Sequence, residues 1–307
     1  MRNTIRVGIP VLLILLGCTA AAIAKPITLQ YHWVAGQTLR YQITANLNGS
    51  LPLFGEPTPQ PVQAKIVLTY LTKVTNVTPD GTATMKIKVA SATLEIEDTP
   101  FDVPVDTIRK YLDVTTDISP SGAITNEKPG ESIPQGYNMP GFDPKRLFLL
   151  MFPVVFQSTP VNPGDSWEFP GQLIGGGVTK KFEATLGPSS KVGQYKTSNI
   201  NESFTVSIDQ SLDSTGHPAN NNTPPSQTRK GEVIGNGHLQ FAPKEGRLIQ
   251  AEMQFTAHLI TQTLNTPDNQ AAPNKVKSSL KAKVVVQLLP NLNSVAPSTS
   301  VSMSQSQ

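Results

Sequence analysis

Apolar and polar residues alternate with a period of two along most of this chain. From Thr38 to Leu51, Leu39, Tyr41, Ile43, Ala45 and Leu47 share one face, and Arg40, Gln42, Thr44 and Asn46 share the other. That is the pattern of a strand with one face buried. Phe54 to Gln63 ("FGEPTPQPVQ") reads as a loop by its prolines, and Ala64 to Val77 as a β-branched strand. The turn "TPDGT" (Thr78 to Thr82) leads into Ala83, Met85, Ile87 and Val89. The parity then flips to Ala92, Leu94 and Ile96, which predicts a β-bulge near Ala90 and Ser91. Val105 to Leu112 reads as one or two helical turns, and "SPSG" (Ser119 to Gly122) as a turn between short strands.

The strongest helix signal is "FDPKRLFLLMFP" (Phe142 to Pro153). Asp143 suits the N-cap, Pro144 the first helical position, and Pro153 ends the run. Being apolar nearly all round, this helix should be buried against a sheet. Alternation then resumes at Phe182, Ala184 and Leu186, at Phe204, Val206 and Ile208, from Ala251 to Leu259, and from Val276 to Leu288. Asp213 to Glu232 and Asn265 to Asn274 read as polar loops, and residues 291–307 as a disordered tail.

Two echoes tie the halves together. Gly36-Gln37-Thr38-Leu39-Arg40-Tyr41 resembles Gly164-Asp165-Ser166-Trp167-Glu168-Phe169, and the turn before Gly122 resembles Pro243-Lys244-Glu245-Gly246. The expected architecture is therefore all-β or β-dominated. It has long antiparallel, strongly curved sheets built as two related β units or half-barrels, with one central helix. The units span 25–141 and 154–290, joined by the helix at 142–153.

The N-terminus adds a destination. Arg2 and Arg6 precede an apolar run from Val7 to Gly17, too short to span a bilayer and laid out as an export signal. Ala22-Ile23-Ala24 fits cleavage after Ala24, with Lys25 as the first mature residue and 1–24 as the signal peptide. Leu15-Leu16-Gly17-Cys18 resembles a lipobox, in which 1–17 is removed and Cys18 is lipidated. Both remain open, and either sends the protein to the periplasm, the envelope or the medium. Cleavage after Ala24 removes 24 of 307 residues and leaves 283 without cysteine, so disulfides, thiolate metal sites and cysteine nucleophiles are excluded. It also lowers the net charge from +3 to +1, because two arginines leave. No basic cluster points to nucleic acid. With 22 glycines and 27 prolines the chain is rich in turns.

Catalytic chemistry finds little support. "GDSW" places Ser166 at a strand start, without the α/β context or the late Asp and His of the G-D-S hydrolases. Asp213 and His217 lie in a polar loop at the wrong spacing. His32, His217, His238 and His258 form no metal-binding spacing, and His258 falls on the polar face of its strand. Glu95, Glu97 and Asp98 read as solubility charges, and Gly175 to Gly177 as a turn rather than a phosphate loop. Tyr31, Trp33, Tyr41, Trp167 and Phe169 read as core. No catalytic residue, metal site or cofactor is expected.

The opening strand Gly36 to Tyr41, the helix Phe142 to Phe152, the segment Pro160 to Trp167 ("PVNPGDSW") and the late hairpin Phe241 to Leu248 resemble an uncharacterised family of bacterial exported proteins and lipoproteins. That resemblance implies no activity. The expected role is a non-enzymatic envelope protein that binds an apolar ligand such as a lipid or acyl chain. The alternative is a structural or interaction module for envelope proteins, with membrane contact only through an N-terminal lipid anchor.

Overall fold

The structure is a computed structural model and describes residues 25–52, 58–128, 130–131, 144–171, 178–213, 219, 225–264 and 275–290. Cys18, Ala24, Asp143, the three glycines 175–177, His217 and the tail beyond 290 lie outside these residues.

Among the described residues, twelve strands form one antiparallel sheet. They are β1 (Thr38–Pro52), β2 (Pro59–Val77), β3 (Ala83–Ile96), β4 (Thr99–Asp102), β5 (Val114–Ile118), β6 (Ile124–Lys128), β7 (Ser166–Glu168), β8 (Val178–Val192), β9 (Tyr195–Leu212), β10 (Gln227–Ala242), β11 (Arg247–Thr263) and β12 (Lys275–Leu289). Their order is β6-β5-β3-β2-β1-β12-β11-β10-β9-β8-β7, with β4 paired to β3. The first and last long strands therefore meet in the middle, and the sheet stays open between β6 and β7. The two sequence echoes share their local setting, although β1 lies inside the sheet and β7 at its edge. β1 and β7 each begin two residues after a glycine with positive φ, Gly36 and Gly164. The two similar turns join β5 to β6 and β10 to β11.

The bulge falls where the parity flip places it. Thr69 faces Ser91 and Tyr70 faces Val89, which leaves Ala90 unpaired. Two strands begin earlier than the alternation indicates. β2 starts at Pro59, because Pro59 and Pro61 pair only with β1, beyond the last β3 pairing at Ala64–Ile96. Their missing N–H groups have no third strand to serve there. β10 starts at Gln227, inside the stretch that reads as a polar loop, because β9 and β11 flank it on both sides.

One core cluster runs along the inner face of the whole sheet. α1 (Val105–Leu112) packs beside β3. Pro144–Met151 is a 3-10 helix with Leu147 to Met151 all buried. Phe152 N–H then donates to the Leu149 carbonyl at 2.8 Å, continuing the three-residue spacing up to Pro153. The sequence led us to expect one helix in the sheet's mouth. Over its described residues that segment is the buried 3-10 helix, and the helical turns read at Val105 to Leu112 form α1, a second helix beside β3. The segment 27–33 ties both turns to the core. Tyr31 N–H bonds Pro120, and His32 N–H bonds Gly246. Gly122 and Gly246 both have positive φ, and a Cβ on either would lie within 3 Å of Tyr31 or His32, so glycine is the residue that permits this approach.

Candidate functional site

Cross-strand register turns the inner face into rungs. At the near end, where the two turns lie, the rungs are covered. Tyr31 stacks on Trp33 at 5.3 Å and on Phe156 at 5.3 Å, and meets Phe152 and Phe241 edge-on. Trp167 donates its indole N–H to the Val155 carbonyl at 3.0 Å, and Tyr41 its hydroxyl to the Leu248 carbonyl at 3.0 Å. Burial confirms that the aromatics form core. Trp33 is the partly exposed member, and its Nε1 has no hydrogen-bond partner.

A middle rung runs Leu94–Ile66–Ala45–Val284–Met253–Gly237–Glu202–Ala184–Trp167. Glu202 is its one ionisable member. It is 3% exposed, and neither carboxylate oxygen has a hydrogen-bond partner among the described residues. Burial pushes its carboxyl up to about 8. The same burial, with Tyr41 and Glu202 adding to it, raises the Tyr31 hydroxyl well above its usual value.

Towards the far end the inner face opens at one corner. The next rung is Ile96–Ala64–Leu47–Ala282–Phe255–Gly235–Phe204–Phe182. Leu47 is buried, Ala64 and Phe255 are half-buried, and Ile96 is 40% exposed. Phe101 on β4, opposite Leu94, is 49% exposed. Two and three rungs further out, inner-face polar groups appear, Ser278 on the second and Arg229 with Thr261 on the third. The Nε of Arg229, the Oγ1 of Thr261 and the Oγ of Ser278 are buried without a hydrogen-bond partner.

The outer face carries a hollow of about 750 Å³ that crosses six strands. One wall is the rung Glu95–Lys65–Asn46–Lys283–Gln254–Asn236, and the other is Gln63–Asn48–Lys281–Thr256–Ile234. Lys65 pairs with Glu95 at 3.1 Å and Lys283 with Glu252 at 2.8 Å. Such exposed pairs contribute little to stability. Glu97 and Asp98, which read as strand-edge charges, instead form the tight β3–β4 turn with positive φ and line the same hollow.

The other residues singled out from the sequence do not converge. Ser166 opens β7, is exposed, and shares a hydroxyl–hydroxyl bond of 2.7 Å with Thr185. His258 is exposed on the outer face of β11. His238 bonds Asn201 at 2.9 Å. Among the described residues no group of three metal-ligating side chains occurs, and no helix is long and apolar enough to cross a membrane. Replacing Ser166 by alanine is expected to change stability by less than about 0.5 kcal/mol. It should also leave ester hydrolysis at background. A specific loss of hydrolysis in that variant would make Ser166 a nucleophile.

No protein-family model and no curated protein matches this sequence. Among solved structures, the chain is similar to lipovitellin, in a structure concerned with lipid–protein interactions. The TM-score is 0.44 at 12% identity, over 84% of this chain and 26% of lipovitellin. The chain thus spans about a quarter of that protein's length. It also matches an outer membrane channel from Pseudomonas putida F1 with a TM-score of 0.19 at 7% identity, over 84% of this chain and 97% of the channel.

Proposed function

We propose that the protein is an exported, non-enzymatic envelope protein that binds an amphiphile by its apolar part. The carrying observation is the far end of the inner face. There half-buried and exposed apolar side chains, Ala64, Phe255, Ile96 and Phe101, lie on the same face as buried polar atoms that have no hydrogen-bond partner among the described residues. Burial of an acyl chain on the apolar residues is favourable at about 25 cal/mol per Å², and a polar head would meet the unsatisfied groups. Export rests on Arg2, Arg6 and the apolar run after them.

A second reading has its own observation. The 750 Å³ outer hollow has walls rich in amides and charges with Ile234 among them, over a floor that includes Leu47, Ala64, Phe255 and Ala282, and such a mixed lining suits a protein partner surface, which would make the chain an interaction module. Native mass spectrometry of the protein as it leaves the cell separates the two. Under the first reading a stoichiometric lipid or fatty acid co-purifies and is released by solvent. A bare mass, with envelope-protein cross-links mapping to Lys65, Lys281 or Lys283, would replace it with the second.

A further inference from the structure

We propose that Arg229, Thr261 and Ser278 form an anion-binding cradle that holds the carboxylate or phosphate of the amphiphile, an inference that rests on the reading above. The three residues come from three adjacent strands. Arg229 on β10 faces Thr261 on β11, and Thr261 faces Val276 on β12. Ser278 lies two residues further along β12, facing Leu259, and so is the diagonal neighbour of Thr261, roughly 7–8 Å away. All three project from the inner face, since they continue the series Val233–Gly231–Arg229, Ala257–Leu259–Thr261 and Ala282–Leu280–Ser278.

The chemistry of the set defines the ligand. A guanidinium carries only donors and keeps its charge at any ordinary pH, and the two hydroxyls can both turn their protons towards one acceptor. Among the described residues no carboxylate pairs with Arg229. Nearby Asp209 is held by Lys230 at 3.1 Å, on the opposite face. A part-buried cation without a counter-ion is costly, and an anion with several acceptor oxygens removes that cost through charge-assisted hydrogen bonds. Lys275 and Lys277, exposed on the outer face of the same end of β12, add a positive field that draws anions to it. From Thr261 back to Phe255 the inner face of β11 extends roughly 20 Å. It passes Leu259 and Ala257, which are apolar and packed in the core, so a chain attached to the head must part that packing to lie along it.

The test uses purified full-length protein with four probes: oleate, its methyl ester, an oleoyl lysophosphatidate and inorganic phosphate. Binding is read by native mass spectrometry and thermal shift. Oleate or lysophosphatidate should bind wild type at least roughly tenfold more tightly than the ester, and the preferred one identifies carboxylate or phosphate. Arg229→Met should remove that advantage while leaving ester binding unchanged, and Arg229→Lys should restore part of it. The double change Thr261→Val with Ser278→Ala should weaken anion binding in a chain whose charge is intact. If the ester binds as well as oleate, or Arg229→Met leaves oleate binding unchanged, the cradle is wrong and the amphiphile reading stands. If no chain-bearing probe binds but phosphate raises the melting temperature in an Arg229-dependent way, the cradle stands and the amphiphile reading falls. No response to any probe removes both.

Discussion

Replacing Glu202 with leucine should stabilise the protein strongly near pH 8 and far less near pH 4, where only the cost of an unpaired neutral carboxyl remains. Glu202 sits on the inner face between Ile200 and Phe204, with no hydrogen-bond partner for either oxygen among the described residues. Its counterpart across the strand is Gly237, where even a Cβ would come within 2.5 Å of Oε1. Burial raises its carboxyl from 4.5 to about 8. Below about pH 4.5 the folded and unfolded chains both hold the proton, and the residue carries no ionisation cost. As pH rises from there the unfolded chain releases the proton while the folded chain keeps it, so stability falls. The loss is complete above about pH 8 and amounts to on the order of 5 kcal/mol. Urea unfolding at several pH values checks this. The wild-type midpoint should fall steadily between about pH 4.5 and 8. The Glu202→Leu midpoint should lack that slope, and Glu202→Gln should lack it too while keeping a buried polar group. Parallel curves for wild type and Glu202→Leu would show that the carboxyl is not isolated in the folded protein.

Truncating Phe152 to alanine should cost about 3–5 kcal/mol. The ring is 1% exposed. It packs edge-on against Tyr31 at 5.6 Å and Trp33 at 5.9 Å, immediately after the buried 3-10 helix. These contacts join the cover of the near end to the segment 27–33, which in turn holds both turns. A large cavity there cannot close easily, because the neighbouring rings of Tyr31, Phe156 and Phe241 are fixed against one another. Phe101→Ala is the matched comparison, since its ring is 49% exposed at the open corner, and it should change stability by less than about 0.5 kcal/mol. Equal effects of the two truncations would mean that the near end is not the rigid part of the core. Phe101→Ala bears on function as well, and under the proposed reading it weakens binding of the acyl chain without unfolding the protein.

The period-two pattern by itself determined the strands and, for each residue in them, which face it takes. Leu39 to Leu47, Ala83 to Val89 and Ala251 to Leu259 stand where their alternation puts them, and the slip after Val89 appears as the unpaired Ala90. Side-chain direction alternates with each residue of an extended chain, so a local pattern suffices for this. The alternation read for this strand takes in only Phe204, Val206 and Ile208 and misses Glu202, although extending the alternation back through Glu202 to Ile200 is the signal that marks that glutamate as a charge on the apolar face. Only the tertiary structure decided that β1 meets β12, that Glu202 fills the space over Gly237, and that Arg229, Thr261 and Ser278 gather at one end. Register is fixed between residues far apart in sequence, through turn geometry and the match of apolar faces, and no local period carries it. Arg229 was hidden for a related reason. Gln227 to Glu232 has too few apolar residues to read as a strand, and it becomes one because β9 and β11 supply partners on both sides. The outer hollow draws its lining from six strands that only the tertiary pairing brings side by side.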